Sequence, residues 1–250
     1  MNIENVSPAD IERRSMEIIE SELGSTEGLS ETEKLIVKRV IHTTADFDYK
    51  QNMKFSENAV QNGLEALKNG TVIVTDTHMA ESGISKPAMK ALGCRACCFM
   101  SDSDVAERAK RDGTTRAVAS MDKAAELFGH ENVIFAVGNA PTALIRLDEL
   151  IRVGKVEPAL IIGVPVGFVN VVQSKEIIMG GSVPYIVAAG RKGCHLQCSA
   201  LQAVRQENRQ SNGENKCLTN TYTTEKKSSA ADIPQAHVRQ RLQRQLRKCC

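Results

Sequence analysis

The sequence predicts an α/β fold, a three-layer αβα sandwich built on a mostly parallel sheet with helices at the N-terminus. Short apolar segments rich in β-branched residues recur along the chain, and helical patterns separate them. Strands that are apolar on both faces belong to parallel sheets that helices cover on both sides. At 250 residues, 42% of them hydrophobic, the chain is long enough to bury a sizeable core in one domain.

Three helices are expected before the first strand. The first opens with Ser7 as N-cap and Pro8 in the first turn, and ends before Gly24. The second begins at a capping box formed by Ser30 and Glu33. The second and third helices are predicted over residues 30–41 and 56–68.

The alternation of strands and helices begins after these helices. Apolar segments predict five strands over residues 71–75, 96–100, 133–137, 160–164 and 185–189. Helical patterns lie between them over residues 86–92, 104–111, 121–128, 141–152 and 169–178. Strand, helix and strand in this order predict parallel pairing through crossover helices.

Composition excludes several function classes. The chain has no Trp and only 4% aromatic residues, so stacking on single-stranded nucleic acid is poorly supported. No apolar segment approaches the roughly 18 residues of a membrane span. The first residues, Met1 to Asn5, have neither a basic start nor an apolar core, so no signal peptide is expected and the protein is predicted to be cytoplasmic.

His42 is the candidate catalytic residue. It lies where the second predicted helix ends, and the helix dipole favours a positive imidazole there, whereas Lys38 and Arg39 act against it. A histidine poised between its two charge states near neutral pH is suited to proton donation. The sequence alone leaves a second interpretation open, in which His42 caps the helix or makes a structural hydrogen bond.

The segments that follow the predicted strands are rich in small, hydroxyl, amide and basic residues. In an open parallel sheet, ligands bind beyond the carboxyl ends of the strands. Gly138, before Asn139 and Pro141, lets the backbone approach a ligand, with a helix N-terminus behind it to meet an anion. Each loop alone is compatible with ordinary turn chemistry, but together they predict a broad polar pocket formed by residues 76–84, 101–103, 138–144, 165–169 and 190–193.

Common cofactor and metal motifs are missing from the sequence. It has no G-x-G-x-x-G, no phosphate-binding loop and no nucleophile elbow. Cys94, Cys97 and Cys98 are interpreted as small buried hydrophobic residues. His78 and Glu81 suggest a metal pair, but no third ligand follows in the sequence, so neither a metal nor a cofactor is expected.

Several ordered segments together resemble one family, precorrin-8X methylmutase and its cobalt counterpart, cobalt-precorrin-8 methylmutase. The resemblance covers residues 7–193. The matching segments are residues 11–19, 39–46, 76–84, 136–144, 162–170 and 190–193.

The resemblance implies an isomerase of cobalamin biosynthesis. Such an enzyme moves a methyl group from C-11 to C-12 of the precorrin-8X or cobalt-precorrin-8 macrocycle, which gives hydrogenobyrinate or cobyrinate without redox chemistry or a cofactor. The histidine matching His42 is proposed in the family to protonate a ring nitrogen and so assist a sigmatropic shift. The resemblance also implies a homodimer with its site near the interface.

The carboxylate arms of such a substrate need cationic and hydrogen-bonding partners, and Arg suits bidentate carboxylate recognition. Beside catalytic His42, the expected substrate-binding residues are Arg14, Ser15, Thr43, Asp76, Met79, Ser82, Arg116, Gly138, Asn139, Pro141, Thr142, Gly167, Phe168, Arg191 and Lys192.

The chain departs from the family pattern after Gly193. Residues 191–250 hold 12 Lys+Arg against 4 Asp+Glu, although the whole chain has a net charge of only +2. We therefore separate a methylmutase-like domain, residues 1–193, from an atypical basic tail, residues 194–250. The tail is interpreted as a shifted reading frame, as disorder, or as a nucleic-acid-binding segment, with the first favoured.

Two alternative functions follow from these features. A family body with an altered terminus would be a non-catalytic corrin- or tetrapyrrole-binding protein. An α/β protein with a functional basic tail would bind nucleic acid, which the low aromatic content makes the weaker alternative.

Overall fold

The computed structural model describes residues 4–8 and 10–193. The predictions for residues 194–250 lie outside this part of the chain. The described residues form a sheet with helices on both faces, as the sequence predicts, although the sheet has six strands and not the five predicted. No helix among them is long and apolar enough to cross a membrane.

The sheet has the strand order β1-β6-β5-β4-β2-β3. Only β1 is antiparallel to its neighbour, and the pairs β6–β5, β5–β4, β4–β2 and β2–β3 are all parallel. The strands are β1 (Met53–Phe55), β2 (Val72–Thr75), β3 (Arg95–Cys97), β4 (Val133–Val137), β5 (Leu160–Gly163) and β6 (Tyr185–Ala188).

Ten helices lie in the described part of the chain. They are α1 (Ile11–Leu23), α2 (Glu31–Thr44), α3 (Tyr49–Asn52), α4 (Ala59–Lys68), α5 (His78–Gly83), α6 (Lys86–Ala91), α7 (Ser103–Arg111), α8 (Arg116–Phe128), α9 (Pro141–Arg152) and α10 (Val171–Met179).

Two hydrophobic clusters cover the two faces of the sheet. Alternate residues of the strands point to opposite faces, so Ile134 packs with α1, α2 and α4, whereas Val133 and Phe135 pack with the helices that follow β3, β4 and β5. β4 is buried along its whole length. This burial on both faces explains why its sequence is continuously apolar.

The helix starts agree with the prediction at one position and differ at two. The Ser30–Glu33 capping box is present in the structure. Ser7 is not the N-cap of α1; Asp10 takes that position, and the Ser7 hydroxyl donates to the Asp10 carboxylate at 2.7 Å. The helix predicted from residue 56 begins at Ala59, because Ser56 donates to and accepts from Tyr185 beside the sheet edge.

Three short elements were missed by the sequence analysis. They are the antiparallel edge strand β1 and the helices α3 and α5, of three, four and six residues. Segments of this length are too short to show a hydrophobic period. Their conformation depends on tertiary contacts, such as the pairing of Met53 with Ala188 across β1 and β6.

Candidate functional site

The carboxyl ends of the parallel strands form one edge of the sheet, which we call the carboxyl edge. β6, β5, β4 and β2 are consecutive there, so the loops after them span about 14 Å, or three strand spacings. Most of the residues that the sequence analysis selected lie in these loops or in the helices that start from them.

Asp76, directly after β2, organises the centre of this edge. Its fully buried carboxylate accepts three backbone N–H groups from the loop after β4, from Gly138 at 3.0 Å, Asn139 at 2.7 Å and Ala140 at 2.8 Å. Burial raises the pKa of Asp76 above its ordinary value, and these three donors act in the opposite direction. The sequence analysis expected a ligand anion at the loop after β4 and the start of α9. In the structure the Asp76 carboxylate accepts the N–H groups there.

The first turn of α9 connects this loop to α8. Thr142 and Thr115 place their hydroxyl oxygens 3.1 Å apart, and Thr115 caps α8 by accepting from the Val118 N–H at 3.2 Å. Arg116, the first residue of α8, is exposed and has no carboxylate partner among the described residues. It borders a shallow concavity between α7 and α8 that does not include His42.

His42 lies in the last turn of α2 and is half-buried. The helix ends two residues later, because Ala45 adopts a left-handed conformation and donates its N–H to the Ile41 carbonyl at 2.7 Å. No described residue makes a hydrogen bond to the His42 imidazole. Thr43 is exposed, and its hydroxyl donates to the Arg39 carbonyl at 3.0 Å.

Lys192 ties the loop after His42 to the end of β6. Its Nζ donates to Asp46 and Asp48 at 2.6 Å each. The two carboxylates raise the pKa of Lys192, and Lys192 lowers the pKa of Asp46. Lys192 therefore holds the loop that follows His42. Two of the three N–H groups of its ammonium already donate to Asp46 and Asp48.

Lys175, on α10, holds the backbone of the same segment after β6. It is 1% exposed, and its Nζ donates to the carbonyls of Gly190 at 2.9 Å and Lys192 at 2.7 Å. Burial lowers the pKa of Lys175 from its ordinary 10.5 to about 8. The backbone that presents Arg191 is thus held by a buried amine.

The loop after β5 contacts this segment directly. The Arg191 guanidinium lies 5.3 Å from the ring centre of Phe168, which is 81% exposed. Gly167 has a φ of +139°, which side chains rarely permit. A Cβ on Gly193 would lie 2.1 Å from the Val164 carbonyl oxygen, so only glycine allows this close approach.

The remaining predicted residues lie on α1 and α5. Arg14 makes two hydrogen bonds to Glu4, at 2.9 and 3.1 Å, and Ser15 donates to the Ile11 carbonyl. No hydrogen bond or ion pair joins Arg14 to a described residue of the carboxyl edge. Met79 and Ser82 are both exposed on α5, at the carboxyl end of β2.

The structure thus brings the predicted residues into two linked groups. One contains Lys192, Arg191 and Phe168 beside the loop that follows His42. The other centres on Asp76, the loop after β4 and the start of α9. The two groups lie on consecutive strands of the same edge.

Lys175, Asp46 and Asp48 were not selected from the sequence. A signal for Lys175 exists, since it is four residues after Val171 and three before Ile178, on the buried face of α10. A lysine in an apolar stripe indicates a buried charge with a specific partner. The two aspartates carried no such signal, because acidic residues after a helix are common on surfaces.

The chain is an α/β protein with exposed arginines and polar loops along the carboxyl edge of a parallel sheet, and with a half-buried histidine before the loop that Lys192 contacts. The comparisons with known proteins agree with this class. The sequence matches the family described as Precorrin-8X methylmutase over residues 10–238. The chain therefore belongs to the precorrin-8X methylmutase family.

Similar proteins are known from several organisms. A cobalt-precorrin-8 methylmutase of Leptospira interrogans is 45% identical over 190 residues, 74% of this chain and 86% of the relative. A precorrin-8X methylmutase of Pseudomonas aeruginosa is 36% identical over 200 residues, 79% of this chain and 94% of the relative. The crystal structure of a precorrin-8X methylmutase from Thermus thermophilus superimposes with a TM-score of 0.74 at 39% identity, and covers 83% of this chain and 98% of that one.

Asp76→Asn tests the centre of the edge. We expect it to lower the free energy of unfolding by about 1–3 kcal/mol, because an amide has one acceptor oxygen and its NH₂ group faces backbone donors. Urea denaturation measures the change. Asp112→Asn, at an exposed residue, is the control and should stay within about 0.5 kcal/mol. Equal effects of the two variants would contradict the role of Asp76.

Lys175→Met tests the buried amine through pH. Because the pKa of Lys175 is lowered on folding, the unfolded chain binds the proton more tightly between about pH 8 and 10.5. The contribution of Lys175 to the free energy of unfolding should therefore rise with pH in that window. Denaturation of wild type and Lys175→Met at several pH values gives the difference, in which other groups cancel. A difference that falls as pH rises would show that the ammonium is stabilised by the fold.

Proposed function

We propose that this chain is an isomerase that moves a methyl group from C-11 to C-12 of precorrin-8X or cobalt-precorrin-8, with His42 as the proton donor. The observation that carries the proposal is the position of His42. It lies in the last turn of α2, is half-buried, and precedes the loop that Lys192 links to the carboxyl edge. Family membership supplies the reaction class.

The chemistry requires little beyond binding and one proton. The methyl group leaves C-11 and bonds to C-12 of the same macrocycle, so no other reactant is consumed. A proton on a ring nitrogen draws electron density from the ring and so favours the shift. The His42 imidazole donates this proton and recovers it once the methyl group has moved, which is ordinary general acid catalysis.

The carboxylate arms of the macrocycle are bound by the cations of the carboxyl edge. Arg191 and Arg116 are exposed and have no carboxylate partner among the described residues, so each can take a substrate carboxylate. Arg14 differs because Glu4 already holds its guanidinium. Phe168 and Met79, both largely exposed, offer apolar contact with the face of the macrocycle.

Asp76 acts as a positioning residue in this proposal. Its oxygens accept from Gly138, Asn139 and Ala140, so it shapes the loop that contacts substrate. The Asn139 side chain, Thr142, Ser82, Thr43, Ser15, Pro141 and Gly167 complete the proposed binding surface.

We further propose that the chain forms a homodimer in the cytoplasm, with the site near the dimer interface. Phe168 and Val169, 81% and 78% exposed beside the carboxyl edge, support an interface there, since neighbouring exposed apolar side chains commonly mark contact surfaces. Cys94 and Cys98 are free thiols, as is typical of a reducing compartment.

His42→Ala tests the catalytic proposal. Turnover of precorrin-8X and of cobalt-precorrin-8 should fall at least roughly 100-fold, the usual effect of removing a general acid, while binding of the corrin product is retained. The matched control is His130→Ala, an exposed histidine before β4, at the opposite edge of the sheet. If wild type binds the product but never converts either substrate, the chain is a tetrapyrrole-binding protein. Near-normal turnover in His42→Ala would refute the role of His42.

Arg191→Gln and Arg116→Gln test the carboxylate contacts. Each should weaken binding of the corrin product by about 1.5–3 kcal/mol, the range for a hydrogen bond to a charged group. Arg14→Gln should have a smaller effect because Glu4 competes for its guanidinium. Arg152→Gln, at the far end of α9, is the control. Fluorescence or absorbance titration measures the affinities, and unchanged affinity in the first two variants would assign these arginines to the surface alone.

A further inference from the structure

His78, Glu81 and Cys98 lie close together at the carboxyl ends of β2 and β3. His78 and Glu81 are on α5, which begins three residues after β2, and Cys98 directly follows β3. β2 and β3 pair in parallel, so their ends bring the three side chains together. Their nitrogen, oxygen and sulfur donor atoms all lie within 4.8 Å of one another. In the sequence, His78 and Glu81 lacked a third ligand; the sheet supplies one from 17 residues further along.

The imidazole of His78 is held from both sides. Its Nδ1 lies 2.9 Å from the Glu81 carboxylate, and its Nε2 lies 2.8 Å from the Ser101 hydroxyl. If Nε2–H donates to Ser101, the lone pair of Nδ1 faces the carboxylate, and a cation between them is favourable. Metal-binding histidines usually donate their other N–H to an oxygen in this way.

Cys98 adds a third donor, which becomes anionic when the thiol loses its proton. It is buried, and the carboxylates of Glu81 and Asp76 are close enough to act on it electrostatically. A divalent cation would offset these charges and convert the thiol to a thiolate ligand, releasing one proton.

We propose that His78, Glu81 and Cys98 bind a divalent transition-metal ion, with Zn²⁺ as the physiological type and a fourth position open to water. Nitrogen, oxygen and sulfur ligands suit Zn²⁺ and Co²⁺, whereas Mg²⁺ and Ca²⁺ prefer oxygen alone. Around a tetrahedral ion with bonds of about 2.0–2.3 Å, ligand atoms are about 3.3–3.8 Å apart. The half-exposed side chain of His78 and the partly exposed one of Glu81 can rotate to make up the difference.

This site lies after β2 and β3, whereas the loop after His42 contacts the segment after β6. The ion joins α5 to the end of β3, and so stabilises the segment that carries Asp76 and Met79. It takes no part in the methyl shift. The inference therefore stands or falls independently of the proposed reaction.

Titration of the full chain with Co²⁺ under reducing conditions tests the site. We expect wild type to bind one equivalent more than His78→Ala and Cys98→Ser, and that equivalent to show thiolate-to-cobalt charge-transfer absorption. Cys97→Ser and His130→Ala are matched controls, because one is the neighbouring cysteine and the other an exposed histidine at the opposite edge. The five cysteines at positions 194–250 are present in every variant, so any metal they bind cancels in the comparison.

Two further variants keep the test decisive if Cys98→Ser fails to fold. Glu81→Gln removes a ligand at a partly exposed residue, and Ser101→Ala removes the outer partner of His78, which should weaken Co²⁺ binding roughly 10–100-fold. Zn²⁺ should raise the melting temperature of wild type and of the two controls, but not of His78→Ala. The same number of Co²⁺ equivalents and the same thermal shift in all variants would overturn the proposal and leave an ordinary His78–Glu81 hydrogen bond.

Discussion

Parallel pairing of β6, β5, β4, β2 and β3 is the constraint on which the rest of the structure depends. It directs the loops after five strands to one edge, although these loops are separated by up to 113 residues, from Asp76 to Ala189. The pairing requires strands that are apolar on both faces and helices that cover them. The same requirement leaves the edge as the place where polar side chains from distant segments can meet.

Buried charges then give that edge its detailed shape. Asp76 accepts three backbone N–H groups of the loop after β4, and Lys175 donates to two backbone carbonyls of the segment after β6. In both cases a side chain, not the ladder of the sheet, determines where the loop backbone lies. A buried charge without its partner is costly, so each of these loops has one strongly favoured arrangement.

The link from Lys192 to Asp46 and Asp48 has a different character, since it is exposed enough for water to weaken it. It joins the loop after His42 to the segment that follows β6. A ligand carboxylate near Lys192 would compete with the two aspartates. Under the proposed function, such competition would couple the binding of an anionic macrocycle to the position of the loop after His42.

The sequence by itself determined the fold class, the five parallel strands and the capping box of α2. β4 is continuously apolar because it is buried on both faces. The capping box is recognisable because its hydrogen bonds require Ser30 and Glu33 to be three residues apart. The segments that resemble the methylmutase family could also be recognised from the sequence, because each consists of consecutive residues. The short elements β1, α3 and α5 had no such local pattern.

Only the tertiary structure decided which side chains meet. The sequence placed Asp76 among the substrate contacts, and the fold shows its carboxylate occupied by backbone donors. It found no third partner for His78 and Glu81, and strand pairing brings Cys98 to them. The physical reason is the same in both cases: local sequence records the period of burial, whereas a contact between residues far apart depends on the order and direction in which strands pair.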